Sequence, residues 1–169
     1  MPQLDAESAY SRLRDQLRQA FAQAEQPSGR PPLLVGVHSG GVWIAERLQR
    51  DLGLAGAVGT LSSAFHRDDY GQRGLPAEMK PTTLPFEVDG ADVVLVDDIL
   101  YTGRTVRAAL NEIFDYGRPA RVRLAVLIDR GGRELPVEAS FCGLRHPLSS
   151  DQAFVLSRDA SGQLALAIE

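Results

Sequence analysis

Residues 93–105 read Val-Val-Leu-Val-Asp-Asp-Ile-Leu-Tyr-Thr-Gly-Arg-Thr, and their order suits the grip of a sugar phosphate. The aliphatic run Val93–Val96 has the character of a strand buried on both faces of a parallel sheet. It ends on two adjacent carboxylates, Asp97 and Asp98, which accept hydrogen bonds from vicinal hydroxyls. Tyr101-Thr102-Gly103-Arg104-Thr105 follows as a short loop opening an amphipathic helix, where backbone N–H groups and the helix dipole attract a phosphate. Two more polar loops have similar placement: His38-Ser39-Gly40-Gly41 after one apolar run, and Asp129-Arg130-Gly131-Gly132-Arg133 after another.

Strands alternating with helices must position these loops. Apolar residues at helical spacing predict a first helix from Asp5 to about Glu25, stopped by Pro27-Ser28-Gly29 and Pro31-Pro32. Leu33–Val37 reads as a buried strand and Val42 to Arg50 as a helix. Ala57–Phe65 reads as a strand and Thr105–Tyr116 as a helix closed by Gly117. Val122–Ile128 and Glu138–Cys142 read as further strands. The segment 153–168 reads as a C-terminal hairpin, with strands at Phe154–Leu156 and Leu164–Ile168. This alternation predicts an α/β fold with a mostly parallel central sheet flanked by helices, in which ligands sit outside the carboxyl ends of the strands. Residues 66–85 carry charge of both signs and three prolines without periodicity; a flexible lid loop or hood is the expectation, with a disordered insertion or a hairpin as the plainer readings.

Composition sets the outer bounds. A chain of 169 residues fits a single domain spanning 1–169, and its longest apolar runs fall short of a membrane span. The N-terminus lacks the basic and apolar regions of a signal peptide. One cysteine, Cys142, excludes an internal disulfide framework, reads as a small buried hydrophobe, and fits a reducing cytoplasm. A net charge of −4 means that any RNA contact needs a local basic patch. Arg14 and Arg18, four apart on the first helix with Arg12 and Arg30 near in sequence, are candidates for such a patch. A solvated helix face is the plainer reading, given Asp15 and Glu25 nearby. Trp43 reads as core rather than as a stacking platform.

The 93–105 run resembles the 5-phosphoribosyl pyrophosphate (PRPP) signature of type I phosphoribosyltransferases. Val-Asp-Asp-Ile-Leu-Tyr-Thr-Gly-Arg-Thr-Val-Arg-Ala-Ala is similar to the PyrR branch, pyrimidine-operon attenuation proteins that also act as uracil phosphoribosyltransferases. Gly117-Arg118-Pro119, Leu124–Gly131 and Arg133-Glu134-Leu135-Pro136 continue the likeness, as do Arg67-Asp68-Asp69 and Leu4-Asp5. The resemblance implies a type I phosphoribosyltransferase fold and the reaction of uracil with PRPP to give UMP and pyrophosphate. It implies uridine-nucleotide-dependent (UMP or UTP) binding of the pyr mRNA leader, and a homo-oligomer, dimer or higher. Asp97 and Asp98 would hold the ribose hydroxyls, and the nucleotide site would run through Ile99, Leu100, Tyr101, Thr102, Gly103, Arg104 and Thr105. His38, Ser39, Gly40 and Gly41 would approach the pyrophosphate, and Arg67 would supply positive charge to the leaving group. Arg130 and residues 141–147 would lie near the base. Mg²⁺ would bridge pyrophosphate and ribose oxygens, with Asp129 contacting it through water.

Two departures accompany the likeness. The pyrophosphate loop, Lys-Thr-Arg-Gly in the PyrR family, is His38-Ser39-Gly40-Gly41 here, without its fixed positive charges. His38 stands either as an anion ligand when protonated or as a histidine packed beside the sheet. Near the base, a family lysine is replaced by Leu144. Three further readings therefore stand beside the first: a nucleotide-sensing RNA-binding regulator with little or no catalysis, a phosphoribosyltransferase for a purine base, and a receiver domain. The last fits poorly, because here the acid pair is followed at once by Thr-Gly-Arg-Thr and a helix.

Overall fold

A computed structural model describes residues 4–23, 29–62 and 81–169. Helix α1 (Ala6–Gln23) precedes β1 (Leu33–Val37), α2 (Gly40–Asp51) and β2 (Gly59–Leu61). Then come β3 (Asp92–Leu100), α3 (Arg104–Tyr116), β4 (Arg121–Asp129), β5 (Phe141–Arg145), β6 (Phe154–Arg158) and β7 (Leu164–Ile168). The first five strands form one sheet in the order β2-β1-β3-β4-β5, with every neighbouring pair parallel. From β1 the chain crosses to β2 on one side and then returns to place β3 on the other. That reversal opens a crevice between the carboxyl ends of β1 and β3, the place where open parallel sheets bind ligands.

The sheet is covered on both faces, so its central strands need no polar alternation. Val93, Val94, Leu95 and Val96 are all at most 1% exposed. Val94 and Val96 join Leu13 and Leu17 of α1 and Ile44 and Leu48 of α2 in one core. Val93 and Leu95 join Val106, Ala109 and Ile113 of α3 in the other. At roughly 1.5–3 kcal/mol for each large apolar side chain buried, these two layers drive assembly of the sheet. Asp5 caps α1, accepting from Glu7 N at 3.0 Å and from Ser8 Oγ at 2.7 Å. The antiparallel hairpin β6–β7 packs Phe154 and Leu164 into the α1 side of the core.

Both margins of the sheet are closed by the chain itself. Thr60 of β2 exchanges two 2.8 Å backbone hydrogen bonds with Thr83. On β5, Cys142 N donates to Gln16 Oε1 at 3.1 Å and Cys142 O accepts from Gln16 Nε2 at 2.8 Å. A helix side chain thus completes the outer rung of the edge strand.

Several boundaries differ from the sequence expectation. Strand β3 does not stop at Val96 but stays paired with β4 through Leu100↔Asp129, so both acids lie within the strand. Strand β2 starts two residues later than expected, positions 63–65 of its expected range lie outside the described residues, and β5 lies three residues later than 138–142. Of the expected lid, 66–80 falls outside the described residues. Among the described residues, no helix is long and apolar enough to cross a membrane.

Candidate phosphoribosyl site at the carboxyl ends of β1 and β3

Adjacent residues of a strand point to opposite faces, and this sends the two acids apart. Asp97 shares the face of Val93 and Leu95, beneath α3, and is 7% exposed; Asp98 shares the face of Val94 and Val96, beneath α2. Asp97 Oδ1 accepts from Asp98 N at 2.8 Å and Asp98 Oδ1 from Ile99 N at 2.9 Å, which fixes each side chain against its own backbone. Both line a cavity of about 680 Å³ at the switch point, together with His38 and residues 99–105.

The glycines at the start of α2 are explained by close approach to β3. A Cβ on Gly41 would strike the Val96 carbonyl oxygen and lie 3.1 Å from Asp97 Cα. A Cβ on Gly40 would lie 2.8 Å from Asp98 Cγ and strike its carboxylate. Ser39 is the α2 N-cap residue and forms no side-chain cap bond. Of the four loop residues, His38 lines the cavity. Ser39, Gly40 and Gly41 lead into the helix packed behind it.

The loop between β3 and α3 turns on Gly103, the α3 N-cap residue, whose φ of +95° favours glycine. No side chain at that residue caps the helix, and its first turn carries no acid. The positive end of the dipole therefore faces the cavity through Gly103, Arg104, Thr105 and Val106. Thr102 Oγ1 accepts from Arg104 N at 3.2 Å. The loop carbonyls are held from outside: Tyr101 O accepts from Arg133 Nη1 at 2.9 Å, and Thr102 O from Glu134 N and Leu135 N at 2.9 and 3.0 Å.

Arg133 is the centre of that brace. It also donates through Nε to Val137 O at 2.9 Å and through Nη2 to Asp129 Oδ2 at 2.6 Å. The Arg133-Glu134-Leu135-Pro136 block was visible in the sequence, but a role for it required residues 101 and 133 to be neighbours. Glu134 itself lines the cavity and pairs with Arg104, Nε to Oε2 at 2.8 Å. Among the described lining residues, Asp97, Asp98 and Glu134 face a single guanidinium, Arg104.

The remaining candidates lie elsewhere. Asp129 Oδ2 also takes Arg145 Nη1 at 2.9 Å, and its Oδ1 takes Gly131 N at 3.0 Å. Burial pushes this carboxyl up, but the Arg133 hydrogen bond, the Gly131 N–H and the two arginine charges hold it below the usual range. The expected water-mediated metal contact thus meets a carboxylate already engaged on both oxygens. Arg130, 5% exposed, donates to Gln152 O at 2.8 Å and Ser149 O at 2.9 Å and stacks 3.8 Å from the Tyr101 ring centroid. Arg67 falls outside the described residues. Arg14 and Arg18 both bond Asp15 Oδ1, at 3.0 and 3.3 Å, whereas Arg12 reaches Gly143 O and Arg30 reaches Asp89 O. Trp43 is half-buried rather than core, with the Arg158 guanidinium 4.9 Å from its ring centroid. Burial pushes the half-buried Cys142 thiol up, and it donates to Leu144 O at 3.3 Å.

The family described as phosphoribosyl transferase domain matches residues 7–157. A Bifunctional protein PyrR from Ralstonia nicotianae is 51% identical over 163 residues, covering 96% of this chain and 91% of that protein. The chain belongs to the PyrR family. A second member, Bifunctional protein PyrR from Nitrosococcus oceani, is 45% identical across 91% of this chain and 86% of its own. Among solved structures, a hypoxanthine phosphoribosyltransferase from Trypanosoma cruzi in a ternary substrates complex superposes with a TM-score of 0.65 at 18% identity. It covers 96% of this chain and 91% of that one. A hypoxanthine-guanine phosphoribosyltransferase from Bacillus anthracis gives 0.61 at 18% identity, covering 89% and 82%. These structures share the type I phosphoribosyltransferase fold with the chain. Against the PyrR pattern Lys-Thr-Arg-Gly, the arginine position falls on Gly40, where the Asp98 carboxylate fills the space a side chain would need.

Proposed function

We propose that this PyrR-family chain transfers the phosphoribosyl group of PRPP to uracil, giving UMP and pyrophosphate, and regulates pyrimidine genes by uridine-nucleotide-dependent binding of the pyr mRNA leader. The observation that carries the reading is the 680 Å³ cavity at the switch point, where two acids on β3 meet the start of α3, whose N-cap is a glycine. The names of the bifunctional relatives support it. In this reading, Gly103, Arg104 and Thr105 take the 5-phosphate at the helix N-terminus, with Thr102 shaping the turn. Asp97 and Asp98 hold the ribose hydroxyls from the two faces of β3. His38 lies toward the pyrophosphate, and Tyr101, stacked on Arg130, walls the side nearer the base. The bond from uracil N1 to the anomeric carbon forms as the bond to the pyrophosphate oxygen breaks, and the N1 proton leaves. The acids oppose the positive character that develops on the ribose, while the braced loop keeps the reactants in line.

PRPP is a polyanion, and the described cavity lining carries more carboxylate than guanidinium. That donor set fits Mg²⁺, a hard cation that prefers substrate phosphates with one or two carboxylates and retained waters. Among the described residues, no three metal-ligating side chains converge into a closed site, so Asp97 and Asp98 are the side chains to share a cation with the substrate. When bound, Mg²⁺ would neutralise pyrophosphate charge as it leaves.

Incubation with uracil, PRPP and Mg²⁺ is expected to yield UMP and pyrophosphate, and hypoxanthine or guanine is expected to yield neither. Turnover with a purine base and none with uracil would overturn the assignment. A second reading, a nucleotide sensor with little catalysis, is favoured by the His38-Ser39-Gly40-Gly41 loop, which has no lysine or arginine. It predicts UMP- or UTP-dependent retardation of a pyr leader RNA at low salt without measurable UMP synthesis. Light scattering tests the expected dimer or higher assembly.

A further inference from the structure

We propose that Glu134 sets the strength of 5-phosphate binding, by holding the Arg104 guanidinium in an ion pair that the arriving phosphate must displace. The inference rests on the phosphoribosyl reading of the cavity and assigns a residue that the reading itself leaves without a role. Arg104 and Glu134 both line the cavity, and their side chains meet at 2.8 Å while remaining 44% and 54% exposed. Glu134 is no drifting surface acid. Its own N–H is bonded to Thr102 O at 2.9 Å, Leu135 N shares that acceptor, and Arg133 is anchored at three separate acceptors. The carboxylate is therefore tied to the loop that would receive the phosphate, beside the guanidinium that would bind it.

Electrostatics gives the consequence. An exposed pair of this kind is weak, whereas a guanidinium on a phosphate makes stronger, paired, charge-assisted hydrogen bonds. Exchange of partners is thus favourable for Arg104, but it leaves the Glu134 carboxylate without that partner and close to a dianion. Breaking the pair is a cost borne by every 5-phosphorylated ligand, substrate and product alike, and direct like-charge repulsion is the smaller addition that remains without Arg104. Glu134 is accordingly a positioning residue acting through Arg104, and it favours release of the nucleotide after transfer.

Calorimetric titration of UMP and uridine into wild type, E134Q, E134D, R104Q and the R104Q/E134Q double variant tests this. E134Q is expected to bind UMP roughly three- to tenfold more tightly at low salt, with uridine affinity unchanged. The gain should shrink as ionic strength rises. In the R104Q background the same substitution should give a clearly smaller gain, since there is no guanidinium left to release. E134D keeps the charge and is expected within about twofold of wild type. In turnover, E134Q should lower the KM for PRPP and lower kcat through slower UMP release, a split that loss of structure would not produce. Unchanged or weaker UMP binding in a folded E134Q would overturn the proposal, as would equal tightening of uridine. Absence of UMP binding to wild type, with or without Mg²⁺, would overturn the phosphoribosyl reading and this inference together.

Discussion

The two ends of β3 carry acids in different circumstances. At its entry Asp92, 1% exposed, is gripped by Arg121 through both oxygens at 2.9 and 2.8 Å and by Arg123 at 3.0 Å. Near its exit Asp97 and Asp98 accept from the backbone N–H groups that follow them and face a cavity. The first arrangement is closed: a buried charge matched by protein cations leaves no room for a ligand. The second presents carboxylate to an open space beside a helix N-terminus. Asp129, at the end of the neighbouring strand, resembles Asp92 more than its positional counterparts, because Arg133 and Arg145 close over it. A carboxylate at the carboxyl end of a parallel strand is therefore not by itself a ligand group; what surrounds it decides.

Substitution at each place should separate the roles. Asp97→Asn with Asp98→Asn removes two charged hydrogen-bond acceptors, each worth about 1.5–3 kcal/mol, so kcat/KM for uracil and PRPP should fall by roughly a hundredfold to ten-thousandfold. Circular dichroism should show the fold retained; undiminished turnover would sink the assignment of these acids. Asp92→Asn leaves two arginines facing a neutral amide and should cost about 3 kcal/mol in urea denaturation, while the folded fraction keeps its kcat/KM.

Asp129→Asn should fall between the two. It loosens Arg133 and hence the Tyr101 carbonyl, so a KM increase for PRPP of roughly threefold to tenfold should accompany a stability loss of about 1–2 kcal/mol. Its pH signature follows from the lowered carboxyl. The folded chain holds this group ionised below the usual value of 3.8, whereas the unfolded chain protonates there. The contribution is thus fully present above the usual carboxylate range and disappears as pH falls through the folded value. Wild type should lose more stability than Asp129→Asn over that acid interval; parallel curves would remove Asp129 from the brace. The smallest effect is expected at Arg14→Gln with Arg18→Gln, within about 0.5 kcal/mol in stability, because their shared pairing with Asp15 and the 3.4 Å contact of Arg18 with Asp51 O lie near the surface. If α1 contacts RNA, a weaker salt dependence of leader binding should reveal it.

The exit of β3 was the more legible end, because its acids and the strand are written into one contiguous run, whereas nothing in the sequence reading marked the clasp of Arg121 and Arg123 on Asp92. Val93–Val96 announced a strand covered on both sides, and Gly103 before a helical pattern announced an open helix start. Where β3 ended was not legible: Asp97 and Asp98 break the apolar run, yet backbone pairing to β4 continues to Leu100. Strand β5 was displaced for a related reason. Gly143 and Arg145 lie beyond the expected end at Cys142, but Gly143 is the place where α1 crosses the strand, since a Cβ there would strike the Ala9 carbonyl oxygen. The brace from Arg133 and the Arg104–Glu134 pair join positions about thirty residues apart, and no periodicity reports such a contact. Arg130 illustrates the opposite error of reach. The resemblance implied a place for it near the base, but its commitment to the Ser149 and Gln152 carbonyls depends on how the segment before the hairpin folds back.

The Gln16 amide on Cys142 has a bearing on how copies of this chain meet. A hydrogen-bonding rung that a neighbour would need is already occupied by a side chain from the same molecule, and the backbone of Thr83 occupies one on the opposite flank. Joining two sheets into one continuous ribbon through these rungs would first require evicting a native partner. Were copies of this chain to associate, these two rungs would not offer bare main chain to one another, and recognition there would fall to side-chain shape and charge.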